Sequence, residues 1–351
     1  MSSAKHSRQV YVNGRFVVHA VTGVQRYARE VVDRLGSCVR VLIPHVAGKG
    51  ISGHVWEQVV LPHLVRDGLL WSPCGSGPVV VKRQVVTIHD VAPLVHPEWF
   101  NPWYAHWYRW MLTRLVNRVR AIITVSKFSK AELAERFRNA EHKIYVIPNG
   151  TTLTRSVPSQ EAIRSVTARL GIDDKPYYLF VGSLEPRKNV VRLLEGWKLS
   201  KLAAHANLVL VGSTGDKRVF AQVRMQLETP GVVRVGYVSD DDLRILYTGA
   251  LALIYPSLYE GFGLPVLEAM AVGTPVITSS GTAMAEVAGG AALLVDPYDT
   301  EHIADGLVRI WLDQDLRFEL SRLGLERAKS FSWDDVALRT RELLVSLAES
   351  E

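Results

Sequence analysis

Short apolar runs recur along the chain, each stopped by glycine, proline or a polar turn. The first six are Val10–Val12, Val39–Ile43, Leu69–Trp71, Val85–His89, Ala121–Val125 and Ile144–Ile147. Six more follow: Tyr177–Val181, Leu208–Val211, Val232–Val235, Leu251–Tyr255, Pro275–Ser279 and Ala292–Val295. Runs of this length and punctuation read as buried strands. Helical periodicity fills many of the intervals. Val24–Leu35 places Val24, Tyr27, Val31, Val32 and Leu35 on one side, with Thr22 as its N-cap. Val55–Val65, Ser129–Phe137, Val190–Leu199, Asp240–Gly249, Thr300–Leu312, Asp315–Lys329 and Asp334–Ala348 also read as helices. Strand alternating with helix predicts an α/β protein with parallel sheets covered on both faces. The turn Pro148-Asn149-Gly150 and the polar stretch Thr151–Pro158 interrupt the alternation, which then restarts. Two doubly wound domains are therefore expected, 1–158 and 159–333. A last helix, 334–351, follows the break at Phe331-Ser332-Trp333. A chain of 351 residues suits two domains.

One stretch, Tyr255–Val272, breaks the simple rhythm. The strand Leu251–Tyr255 runs into a turn with Gly261 and Gly263 around Phe262, and Val266–Val272 reads as helix. Pro265 fits the first helical position, where no amide hydrogen is needed. A glycine-rich turn at a helix start aims backbone N–H groups at an anion. Glu260 and Glu268 bracket this turn, so a phosphorylated ligand is expected, its hydroxyls held by the carboxylates. His89, Gly182, Gly212, Gly236, Glu260 and Ser279 lie at or just past strand ends, where ligands of such sheets bind, and predict one cleft between the domains. Arg187 and Lys188 stand side by side in the turn EPRKN, 185–189. Two adjacent cations suit a diphosphate, arginine as a fork and lysine as a point charge. The structural alternative is a solvated basic turn ahead of a helix.

The net charge of +6 is compatible with a phosphate-bearing ligand and too small to indicate nucleic acid. Cys38 and Cys74 form no CxxC pair and read as reduced thiols of a cytoplasmic protein. The opening residues hold no apolar core of signal-peptide length. No stretch approaches the roughly 18 apolar residues of a membrane-spanning helix. The acidic runs Asp240–Asp242 and Asp313–Asp315 read as helix caps, so no metal is expected. Trp99–Arg120 carries Trp99, Phe100, Trp103, Tyr104, Trp107, Tyr108 and Trp110 beside Arg109, Arg114, Arg118 and Arg120. Such a segment suits a membrane–water interface, or else an amphipathic helix packed on the first domain's sheet.

Four stretches of the second half, GSLEPRKN (182–189), GYVSDDDL (236–243), YPSLYEGFGLPVLEAMAVGTPV (255–276) and EVAGGAALLVDP (286–297), together resemble the family-four retaining glycosyltransferases. TGVQRYARE (22–30), TIHDVAPLVHPEWF (87–100), TVSKFSKAEL (124–133) and VIPNG (146–150) extend the likeness over nearly the whole chain. The variant with EPRKN and TIHD looks like bacterial surface-polysaccharide mannosyltransferases. The resemblance implies the GT-B fold, two Rossmann-like domains facing a central cleft, with the nucleotide sugar held mainly by the second.

It also implies roles. Arg187 and Lys188 would neutralise the diphosphate, and Glu268 would hold the ribose. Glu260 would lie at the transferred sugar. The amides of Phe262, Gly263 and Leu264 would meet the diphosphate or sugar hydroxyls. Tyr237 and Val238 would border the base. Gly23 would admit the diphosphate from the first domain, and His89 would touch the donor sugar, with Asp90 orienting its ring or closing the turn. One departure is Ser183, where many relatives have arginine. The implied activity is metal-independent and cofactor-free transfer of a hexose, in first place mannose from GDP-mannose. The acceptor would be a saccharide or a lipid-linked glycan at the cytoplasmic membrane face. A UDP-sugar donor, or a non-catalytic sugar-nucleotide-binding subunit, is the alternative.

Overall fold

The computed structural model describes residues 9–19, 21–44, 50–65, 67–155, 158–213, 216, 219–221 and 229–350. The chain divides into two compact units. Unit 1 contains Met1–Val95, Ala105–Gly150 and Ser332–Glu351, and unit 2 contains His96–Tyr104 and Thr151–Phe331.

Unit 1 holds a sheet of six strands: β1 (Val10–Asn13), β2 (Val39–Leu42), β3 (Leu69–Ser72), β4 (Gln84–Thr87), β5 (Ala121–Thr124) and β6 (Ile144–Val146). Their order is β2-β1-β3-β4-β5-β6, and all pair in parallel. The central strands β3, β4 and β5 are buried along their whole length, as expected where helices cover both faces. On one side, Val86, Ile88 and Ile122 pack with Leu112, Leu115 and Leu133. The helix Gly23–Leu35 meets the last helix, Trp333–Glu349, through Tyr27 and Trp333, ring centroids 6.1 Å apart, and through Arg34 and Asp334 at 2.7 Å. Arg120 Nη1 donates to the carbonyls of Leu347 (3.0 Å) and Ser350 (2.9 Å) and so closes that helix's C-terminal end.

Unit 2 repeats the plan with β7 (Tyr177–Val181), β8 (Asn207–Val211), β9 (Val232–Gly236), β10 (Ala252–Tyr255), β11 (Val276–Ser279) and β12 (Leu293–Val295). The order is β12-β11-β10-β7-β8-β9. Strands β8, β10 and β11 are buried throughout, whereas the edges β9 and β12 are half-exposed. The chain builds outward from β7 to β9, then returns to place β10 on the other side of β7. The C-terminal ends of β7 and β10 therefore form the point where strand order reverses, and ligands of such sheets bind there.

Several local expectations change. The stretch Val55–Val65 is not one α-helix. An α-helix runs over Gly50–Val55, a π-helical turn over Trp56–Val60 and a further α-helix over Leu61–Val65. Pro62 has no N–H to close the regular bond to Gln58, and Glu57 in the π turn is drawn into a polar cluster with Asn13 (2.7 Å), Arg15 (3.2 Å) and Ser76 (2.8 Å). His89 does not end a strand, because β4 stops at Thr87. Leu264, not Pro265, begins its helix; Gly263 is the N-cap and Pro265 the second residue. Trp333 is the first residue of the last helix rather than part of the break, and Ser332 caps it by accepting from Asp334 N (3.1 Å). Helices at Gln160–Arg169 and Ala283–Ala288 carry too short an apolar stripe to stand out in the sequence. The expected linker Thr151–Pro158 includes two residues, 156 and 157, outside the described ones.

Candidate active site

The loop after β7 folds into a single 3-10 turn, Pro186–Lys188, opened by Glu185 and closed by Asn189 in the left-handed region (φ 60°). Asparagine tolerates that conformation better than most side chains. Its amide also stitches the loop down, donating to the carbonyls of Pro256 (3.0 Å) and Pro297 (2.6 Å). The loop after β10 is tied to the same turn: Leu258 N donates to Arg187 O (2.7 Å), and Ser257 Oγ lies 2.9 Å from the same oxygen. Two loops remote in sequence thus meet at the reversal point of the second sheet.

Their side chains form one buried polar cluster. Glu260 Oε2 accepts from Arg187 Nη1 at 2.8 Å. Glu260 Oε1 accepts from Tyr255 OH and from Ser257 Oγ, each at 2.9 Å, and also contacts Lys188 Nζ. Lys188 Nζ in turn touches the Tyr255 hydroxyl. On the far side of the guanidinium, Arg187 Nε lies 2.6 Å from Glu185 Oε1. Side-chain exposure is 16% for Arg187, 8% for Lys188, 9% for Glu260 and 0% for Glu185, so all four charges lie largely out of water. Burial alone would raise the Glu260 pKa, but the Arg187 and Lys188 charges outweigh it and hold the carboxyl at about 2. Burial, then the neighbouring Arg187, lower the Lys188 pKa, opposed by Glu260 and Glu185. Burial and the Glu260 carboxylate keep Tyr255 protonated, as a hydrogen-bond donor.

The turn that follows Glu260 leads into the helix Leu264–Val272, capped by Gly263 at φ 94°. A Cβ there would lie 2.7 Å from Met284 Cγ, and this φ is one that L side chains rarely adopt. Gly263 has no side chain to cap the first-turn amides, which is the arrangement an anion-binding helix start uses. One turn in, Glu268 is 7% exposed and accepts from Tyr247 OH at 2.9 Å. The expected pair of carboxylates is therefore split: Glu260 sits among the cations, and Glu268 is held by a tyrosine. Leu264 is half-buried and Phe262 buried. Past β9, Val238 is buried and Tyr237 is 79% exposed.

Gly23 and His89 belong to unit 1. Gly23 is the exposed first residue of its helix, and the Thr22 N–H donates to Gln25 Oε1 (3.3 Å) beside it. His89 Nε2 lies 2.9 Å from Pro73 O, a pure acceptor, so this nitrogen carries the hydrogen. The ring packs edge-on to Tyr27, centroids 4.8 Å apart. Burial lowers the His89 pKa, favouring the neutral imidazole. Asp90 Oδ1 accepts from Ala92 N at 3.0 Å, closing the turn.

Of the two acidic runs, Asp240–Asp242 form the first turn of a helix capped by Ser239, and Asp313 caps the next-to-last helix. Among the described residues, no group of three or more His, Cys, Asp or Glu is placed to hold a metal ion. Both cysteines are free. Sequence reasoning missed Glu185, Tyr255, Ser257 and Tyr247 as members of the site. The first three lie inside the motifs themselves, but their partners come from the other loop. It also missed the Asn13–Arg15–Glu57–Ser76 cluster, which sits where the first sheet's strand order reverses between β1 and β3.

Two parallel six-stranded sheets, with a charged cluster at the switch point of the second, define a doubly wound α/β protein with a candidate anion site in unit 2. Residues 163–327 match the family described as "Glycosyl transferases group 1", and residues 70–155 match "Glycosyltransferase Family 4". The chain is 32% identical to O-antigen chain mannosyltransferase B of Escherichia coli, over 92% of this chain and 96% of that one. It is also 32% identical to O-antigen chain mannosyltransferase RfbU of Salmonella typhimurium, over 63% of this chain and 58% of that protein. Among solved structures, HepE of Anabaena with UDP and glucose superposes with a TM-score of 0.72 at 17% identity, covering 97% of this chain and 100% of that one. The chain belongs to the family-four, group 1 glycosyltransferases and is an enzyme of that class.

Proposed function

We propose that this glycosyltransferase moves mannose from GDP-mannose to a saccharide or lipid-linked glycan acceptor in polysaccharide biosynthesis, with retention at the anomeric carbon. The observation that carries the reading is the buried Arg187–Lys188–Glu260 cluster at the switch point of the second sheet. Mannose comes from the relatives, several of which are named as mannosyltransferases.

In this reading Arg187, Lys188 and the helix start at Gly263–Leu264 stabilise the negative charge that develops on the leaving diphosphate. Glu260 accepts hydrogen bonds from hydroxyls of the transferred sugar, Glu268 from the ribose, and the backbone at Tyr237 and Val238 borders the base. The neutral His89 orients the donor sugar. The C1–O bond to the diphosphate breaks as the acceptor oxygen bonds to C1 from the same face. The acceptor's proton passes to the departing phosphate oxygen. Purified enzyme given one nucleotide sugar at a time, with nucleoside diphosphate release as the readout, tests the donor. GDP-mannose is expected to turn over fastest, and faster turnover of a UDP-sugar would overturn the assignment.

The acceptor reading extends to peripheral membrane contact through 99–120. Along the helix Pro102–Arg118, Trp103 is 85% and Trp110 38% exposed, and Arg114 lies over the Trp110 ring at 4.3 Å. No helix of the described residues is long and apolar enough to cross a membrane. Co-sedimentation with anionic liposomes at low salt is the expected result. Loss of lipid binding in wild type, with activity intact on a water-soluble acceptor, would remove this contact.

A further inference from the structure

Glu185 is the anomaly of the cluster. Its side chain is fully buried, yet among the described residues neither carboxylate oxygen takes a hydrogen bond. Arg187 Nε is close enough to pair with it electrostatically, at 2.6 Å, but its N–H is not aligned on the oxygen. A buried carboxylate without hydrogen bonds is costly, and stability alone would favour a neutral or apolar residue of similar volume. Glu260, by contrast, is surrounded by four donors. Glu185 is thus a second negative charge on Arg187, set apart from the hydrogen-bonded network that positions Glu260. The two carboxylates thus match the two basic side chains in number, one on each side of the Arg187 guanidinium.

We propose that Glu185 is a counter-charge that limits how tightly Arg187 and Lys188 hold the diphosphate. It acts through Arg187 and is a positioning and affinity-setting residue, not one that touches substrate. Two adjacent cations in a poorly solvated site would bind a free nucleoside diphosphate strongly, and tight product binding slows release. A fixed anion behind the guanidinium weakens that attraction for donor, transition state and product alike. It thereby keeps the site able to turn over. The proposal rests on the assignment of Arg187 and Lys188 to the diphosphate.

Glu185→Gln isolates the charge, because the amide oxygen still faces Arg187 Nε while the negative charge is gone. Binding of GDP and of UDP to the full chain would be measured by calorimetry at fixed ionic strength, since screening alters such attractions. The expected result is tighter binding of the preferred nucleoside diphosphate, on the order of tenfold. KM for the donor and kcat should fall together, and the decline in kcat should track slower product release. Loss of a merely structural residue would instead raise Kd and KM. Unchanged or weaker binding, in a variant whose circular dichroism matches wild type, would overturn the counter-charge. Should Glu185→Gln not fold, Glu185→Asp decides, because it keeps the charge but draws it back by one methylene. Binding must then tighten by a smaller factor, and equal or weaker binding overturns the proposal. If wild type binds neither GDP nor UDP, the diphosphate assignment itself falls. If wild type binds and neither variant tightens, only the role of Glu185 falls.

Discussion

Glu260 stays ionised in a site that excludes water because two cations outweigh its burial. Its folded pKa, about 2, lies below the ordinary 4.5. The stability it contributes is therefore present above pH 4.5 and is lost as pH falls through that range towards 2. The loss is on the order of 3 kcal/mol, and denaturant titrations at a series of acid pH values should show it in wild type and not in Glu260→Gln. The same substitution should lower kcat by roughly 10²–10³-fold if Glu260 holds sugar hydroxyls in the transition state. Steady-state rates with saturating donor check this, with a melting curve to confirm folding. His89 works in the same direction. Its lowered pKa means that protonation opposes the folded state, so its contribution is present above about pH 6.5 and fades as pH falls. What was readable at this scale was residue type at a motif position: Arg187, Lys188 and Glu260 fall into one cluster. What was not readable was the partner of each. Glu185 and Glu260 are both acids in motif turns, and only the folded loops show that, among the described residues, one has four donors and the other none.

At the scale of elements, the twelve strands of the described residues were all legible, because buried parallel strands are short apolar runs and little else in the chain looks like them. Their ends were less so. Ile88 N still donates to Ile123 O (2.8 Å) just past the end of β4, but His89 does not continue the strand, so the histidine sits on a loop. The π turn at Trp56–Val60 was hidden because its cause, the pull of Asn13 and Arg15 on Glu57, acts across more than forty residues of sequence. The helix start at Gly263 was legible from its glycines, and its geometry makes a sharp test. Gly263→Ala must place a side chain at φ 94° and against Met284. It should cost about 1–3 kcal/mol, read as a lower denaturation midpoint. Adding Met284→Ala should recover only part of this, since it removes the contact and not the backbone strain. On the helix Pro102–Arg118 the pattern was ambiguous for a physical reason: the aromatic residues face different surroundings. Phe100, just before it, is buried at 6%, while Trp103 is 85% exposed. Trp103→Ala should change stability by less than about 0.5 kcal/mol while reducing sedimentation with anionic liposomes.

Across the whole molecule, chain order and compact unit do not coincide. The backbone passes from one unit to the other after Val95, Tyr104, Gly150 and Phe331. The nine residues His96–Tyr104 belong to unit 2 although unit 1 sequence flanks them on both sides. They are fixed there by the bridge between Phe100 and Phe220, by Asn101 N on Val219 O (2.8 Å), by Ala221 N on Trp99 O (2.9 Å) and by His96 against the Tyr259 ring (5.9 Å). No hydrophobic pattern marks such an excursion, because its contacts are few and lie far along the chain. At the other end, the backbone of Trp333 passes so near Gly150 that a Cβ there would come within 2.3 Å of the Trp333 nitrogen. Gly150→Val should therefore lower the melting temperature of unit 1, as followed by the signal of its tryptophans.

The strap His96–Tyr104 bears on how this gene can be recombined. A copy of unit 2 cut from a relative at the obvious junctions, 151 and 331, would arrive without the nine residues that belong to it. Such a hybrid would confront the recipient's His96 and Phe100 with foreign neighbours at 220 and 259. Exchanging both segments together should give a hybrid that melts near its parents, and exchanging the long one alone should not. In a lineage that diversifies its glycans by shuffling transferases, crossovers between these two junction sets would be filtered accordingly. The unit of inheritance for unit 2 is then a discontinuous pair of segments rather than a single block.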